Sequence, residues 1–130
     1  MKKFLIIYLL LFFIASISFA QSAELRVHNK SGRNMTVKIM NKYTHRLYKT
    51  LNLLPYEQST AYFAQTGQYY CKTEALMYGR NPVYEKGNAF EVYVGSDGYS
   101  VLTITFSVSE GSSANVLEGN KISKSEFDKN

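Results

Sequence analysis

From Glu24 to Val108, apolar and polar side chains alternate with a period of two, the pattern of strands with one buried face and one wet face. Helical spacing is not sustained anywhere in that span. In the segment 24–29, Leu25 and Val27 point one way while Glu24, Arg26 and His28 point the other. Asn29-Lys30-Ser31-Gly32 reads as a turn, and the segment 34–40 buries Met35, Val37 and Ile39, so the first two strands are expected to form an opening hairpin. A third strand over 47–53 places Leu47, Leu51 and Leu53 on one parity. Lys49 interrupts that inward set and Pro55 ends the segment, both features of an edge strand.

A short fourth strand is predicted over 59–64 and a fifth over 68–77, in which Lys72 and Glu74 mark the wet face and Tyr69, Cys71 and Thr73 the buried one. The stretch Tyr78–Pro82 is a turn-rich connection. A sixth strand over 89–94 turns Phe90, Val92 and Val94 inward, and Gly95-Ser96-Asp97-Gly98 is the strongest hairpin turn in the chain. The seventh, over 99–108, buries Leu102, Ile104, Phe106 and Val108.

Seven strands without a helix have two usual solutions, and an all-β, antiparallel two-sheet sandwich is preferred to a small closed barrel. The nearest generic architectures are immunoglobulin-like and transthyretin-like. The Cys…Trp…Cys pattern of antibody domains is absent, since the chain has one Cys and no Trp.

The first twenty residues change the picture. Lys2 and Lys3 precede an apolar run from Phe4 to Ile14, and Ser18 and Ala20 supply small residues for a peptidase, so 1–20 reads as a signal peptide cut after Ala20, with Ala23 as the alternative. Eleven apolar residues fall short of the ~20 that span a bilayer. The expected product is exported to the periplasm or the medium with no transmembrane segment, as one domain over 21–109. Residues 110–130, rich in Ser, Gly, Asn, Glu and Lys, are expected to form a disordered polar tail, because sparse apolar residues do not offset the roughly 1–2 kcal/mol per residue that ordering costs. A short helix at 123–129, started by Ser123 with Glu126 three residues on, is the exception considered.

Without the leader the formal charge is +3, too little to imply nucleic acid. The excess is concentrated: 21–50 holds seven basic residues against Glu24 alone. Arg26, His28, Lys30, Arg33, Lys38 and Lys42 fall on or near the wet side of the expected hairpin. They are the candidate binding surface, for an envelope protein or an anionic envelope surface such as phospholipid headgroups or lipopolysaccharide. A plain solvated strand face is the competing reading. The excess of Tyr, eleven against no Trp, reads as strand propensity and rim packing before it reads as a ligand platform.

Catalytic chemistry finds little to work with. A triad would need His28 or His45 with Asp97 and a serine, yet Asp97 sits in a turn and no G-x-S-x-G elbow is present. The two histidines are seventeen residues apart with no second ligand beside either, so no metal site and no cofactor are expected. Lone Cys71 makes no internal disulfide and reads as a buried, inert thiol. The sequence therefore points to a non-enzymatic binding or accessory module of the bacterial envelope, docking through the basic hairpin or by β-augmentation along an edge such as 47–53. An inhibitor or chaperone-like protein acting on partner edge strands is the alternative, and a hydrolase the third reading.

Overall fold

The computed structural model describes residues 21–110 and 120–130; the expected leader over 1–20 lies outside the described residues. Within them the chain is all-β, with multiple sheets and one short helix. The strands run β1 (Ala23–Asn29), β2 (Asn34–Asn41), β3 (Leu47–Leu53), β4 (Gln58–Phe63), β5 (Gly67–Leu76), β6 (Val83–Lys86), β7 (Phe90–Val92), β8 (Val94–Gly95), β9 (Gly98–Tyr99), β10 (Val101–Phe106) and β11 (Asn120–Lys121). The helix, here α1, spans Lys124–Asp128.

The first sheet has the order β10-β1-β4 and the second β11-β6-β5-β2-β3, with β7 pairing to β5 beside β6. Neither order closes on itself, which removes the barrel alternative. The core is drawn from both sheets: Leu25 and Val27 of β1 and Ala61 and Phe63 of β4 meet Met35, Val37, Ile39, Leu51, Leu53, Cys71 and Ala75 from the second.

Four sequence expectations are corrected. First, β1 and β2 are not a hairpin. β1 pairs with β4 and β10, whereas β2 pairs with β3 and β5. The buried Asn29 side chain redirects the chain, donating through Nδ2 to Arg33 O at 2.7 Å and Leu54 O at 3.0 Å and accepting from Ser31 N at 3.0 Å. An amide satisfied in this way stitches a crossover between sheets where a two-strand ladder was expected. Second, the pairing is not wholly antiparallel, because β10 runs parallel to β1, from Glu24 opposite Val101 to Asn29 opposite Phe106.

Third, the seven expected strands become eleven. Val83–Lys86, where no strand is expected between the 78–82 connection and the sixth strand, is β6 and pairs with Lys72–Ala75 of β5. The ladder lapses at Gly87–Ala89 and resumes as β7. The last two expected strands are each divided around the β8–β9 hairpin, whose turn stands where the Asp97-Gly98 pair predicts it, with Gly98 at φ 152°. Fourth, the expected disorder of the 110–130 tail does not hold over 120–130, while 111–119 lie outside the described residues. Residues 120–130 contribute β11 and α1, with Ser123 capping the helix through Glu126 N at 3.1 Å and Phe127 only 4% exposed. Packing of one aromatic residue and the capping of helix carbonyls by lysines supply what composition does not.

Candidate functional site

The six basic candidates do not share a face. Arg26 and His28 lie on β1 in the first sheet, and Lys38 lies on β2 in the second, across the common core. Arg26 is exposed and bonds its neighbour Glu24 at 3.0 Å, Lys30 is exposed beyond the end of β1, and Lys42 donates to Gln68 Oε1 at 3.0 Å. Arg33 is not a surface residue at all: it is 5% exposed. Its guanidinium donates to Ala75 O at 3.2 Å, Asn81 O at 2.7 Å and both carboxylate oxygens of Glu110, the nearer at 2.7 Å. That bidentate pairing holds the Glu110 carboxyl below the usual carboxylate range. Arg33 is a structural clamp.

The histidines and Asp97 are not assembled into a catalytic group among the described residues. His45 Nδ1 lies 3.4 Å from Tyr70 Oη, while Asp97 accepts from Tyr93 Oη at 2.5 Å within its own hairpin. Cys71 is buried in the core, and desolvation pushes its thiol up to about 12. No group of three or more His, Cys, Asp or Glu side chains that would hold a metal occurs among the described residues.

Sequence reasoning missed a cluster on the outer face of the second sheet. Lys38 of β2 stands opposite Lys72 of β5, and Lys72 opposite Lys86 of β6, so three lysines form one row across three adjacent strands. Like charges so placed repel unless negative partners intervene. Helix α1 supplies them: Lys38 Nζ donates to Phe127 O at 2.9 Å and Asn130 Oδ1 at 2.8 Å, and Lys72 Nζ to Glu126 O at 2.8 Å and to Lys129 O. Carbonyls at a helix C-terminus have no partners within the helix and carry partial negative charge. Lys72 is thereby 2% exposed, against its expected place on a wet face, and burial together with the neighbouring lysines lowers its pKa, with Glu126 opposing.

Between this row and α1 lies an open cleft of about 600 Å³, lined by His45, Tyr70, Lys72, Lys86, Glu126, Lys129 and Asn130. Lys86 Nζ sits 4.7 Å from the centre of the Tyr70 ring. His45 is held at φ 57° in the β2–β3 turn, an uncommon conformation for a residue with a side chain. The signal in the sequence was there, since Lys38, Lys72 and Lys86 share an outward parity, but their adjacency needs the strand order.

A second feature lies along β10. It ends the first sheet, with β1 on one side and no strand paired on the other among the described residues. Glu24 N donates to Ser100 O and Lys30 N to Phe106 O, so even-numbered residues of β10 bond toward β1. By the alternation of a parallel ladder, the backbone groups of Val101, Thr103 and Thr105 face away from it. The core-facing row of Leu102, Ile104 and Phe106 is only half-buried, as are Phe90 and Val94 at the β7–β8 margin of the second sheet.

No family model, no curated protein and no solved structure matches the chain. Among the described residues no helix is long and apolar enough to cross a membrane.

Proposed function

We propose that the protein is an exported, non-enzymatic β-sandwich of the bacterial envelope that binds a partner protein by taking an extended segment onto the free edge of β10. The observation that carries this reading is the coincidence, on one strand, of backbone groups at Val101, Thr103 and Thr105, which no strand pairs among the described residues, with a half-covered apolar row at Leu102, Ile104 and Phe106. An added strand would satisfy the first and cover the second, which is the physics of β-augmentation. The expected leader, with its lysines and apolar core, supports export. Among the described residues neither His28 nor His45 has a carboxylate partner, which supports a binding role over a hydrolytic one.

The edge at β3 suits this role less well than its sequence implies. Its Tyr48 ring stacks on Phe63 at 4.8 Å and its hydroxyl donates to Tyr62 O at 2.7 Å, tying β3 to β4. Lys49 is exposed beside a register shift at Ile39/Met40, and a charge and an irregularity are both devices that discourage strand addition. From Val101 to Val108, by contrast, no charged residue occurs. The occupant is therefore an uncharged segment of another exported protein with alternating apolar residues. The same edge supports the chaperone-like reading, which differs in preferring non-native chains.

The test is titration of the chain from Gln21 with a peptide of alternating Val and Thr flanked by terminal lysines, followed by amide NMR. The reading predicts saturable shifts over 101–106, absent over 47–53, and their loss in Thr103→Pro, which removes an outward donor and leaves the bonds to β1 in place. Shifts confined to β3, or none in a folded protein, overturn it.

A further inference from the structure

We infer that the cleft between the lysine row and α1 binds a phosphate-bearing anion. This site is distinct from the β10 edge and does not depend on it. Three lysines, Lys72, Lys86 and Lys129, line it, Lys38 stands next to Lys72 in the row, and Glu126 is the one carboxylate side chain among the lining residues. Glu126 is engaged at the margin, 3.6 Å from Lys129 Nζ.

The lysines are unequally committed. An ammonium group has three donors. Lys38 and Lys72 each place two hydrogen bonds on the last turn of α1 and on Lys129 and Asn130 beyond it, which leaves each one donor and fixes their positions. Lys86 has no hydrogen-bond acceptor among the described residues and is held only over the Tyr70 ring. The Tyr70 hydroxyl, near His45 Nδ1, adds a further polar group on the same wall.

The donor set selects the ligand chemistry. The donors lining the cleft are lysines and no arginine, and separate ammonium groups approaching from the sheet and from the end of the helix act as point charges that suit the tetrahedral spread of phosphate oxygens. A volume of about 600 Å³ exceeds what a bare phosphate needs and fits a small phosphorylated molecule or a lipid headgroup. The helix carbonyls now neutralise Lys38 and Lys72 only in part, because partial charges face full ones.

Two probes separate the sources of that phosphate: inorganic pyrophosphate, followed by calorimetry and amide NMR, and phosphatidylglycerol vesicles against phosphatidylcholine vesicles, followed by sedimentation. Each is run on the chain from Gln21, on Lys86→Gln and on the exposed control Lys30→Gln, with circular dichroism confirming that both variants fold. Saturable pyrophosphate binding with shifts at Tyr70, Lys72 and Lys86, weakened ~10-fold or more in Lys86→Gln but not in Lys30→Gln, supports a soluble phosphorylated ligand. Sedimentation with anionic vesicles alone, weakened by the same variant alone, supports a headgroup. No binding of either probe at about 10 mM phosphate, or equal loss in both variants, overturns the inference.

Discussion

Lys38 and Lys72 face each other across β2 and β5, and both end on the last turn of α1. A pair of like charges that would push two central strands apart is thus turned into the socket for the C-terminal helix. Phe127 completes the fit: its ring lies 4.6 Å from Lys38 Nζ and 5.6 Å from the Tyr84 ring. The five-residue helix is far too short to be stable alone, so its order depends on this docking.

Phe127→Ala should therefore release α1 and cost about 2–3 kcal/mol, with the lysine row left facing itself. Lys124→Ala, on the exposed side of the same helix, should leave the unfolding midpoint essentially unchanged. Urea midpoints for the two variants check the contrast.

Glu85 faces the core with Val83, is 4% exposed, and its Oε2 has no hydrogen-bond partner among the described residues. Desolvation pushes its carboxyl up to about 7, opposed by Lys121. A folded-state pKa above the ordinary 4.5 means that the native protein keeps a proton which the unfolded chain releases over that interval. Its contribution to stability is whole below the unfolded value and is lost as pH rises through about 7. Glu85→Gln should then stabilise the protein at pH 8 by on the order of 1–2 kcal/mol and change little at pH 4, as read from urea midpoints at the two pH values.

Arg33, although one of the basic residues of the 21–50 stretch, should behave as core. Its removal by Arg33→Ala leaves Asn81 O and Ala75 O without their donor and frees Glu110, at a cost of about 3 kcal/mol or more, whereas Lys30→Ala should be nearly silent. Thermal unfolding separates the two.

Cys71 should be inert to a thiol reagent in the folded protein at pH 8, because a thiol with a pKa of about 12 holds almost no thiolate and is buried besides. Reaction should appear only with denaturant, on the unfolding curve. Labelling within seconds under native conditions would contradict the packing of β5.

Much of this fold was legible. Alternation located β1 to β5 and β10, and placed Leu25, Val37, Ile39 and Cys71 in the interior, because a period of two encodes which way a side chain points. It does not encode pairing. The crossover stitched by Asn29, the parallel contact of β1 with β10 and the adjacency of Lys38, Lys72 and Lys86 all arise from strand order, which joins residues distant along the chain. Lys72 departs from its expected exposure for the same reason: its parity is outward, but the segment that covers it lies some fifty residues on and gains its order only by docking. The candidate site suffered most, since a cluster of basic residues in sequence was divided between two sheets while lysines from three strands came together.

Residue-resolved amide hydrogen exchange along β10 tests the proposed binding edge most directly. With β1 on one side and a free edge on the other, the amides of Leu102, Ile104 and Phe106 should be protected, while those of Thr103 and Thr105 should exchange near the unfolded rate and slow on addition of the Val/Thr peptide. Protection of all five in the free protein would mean that the edge is already occupied, and the proposed mode of binding would be wrong.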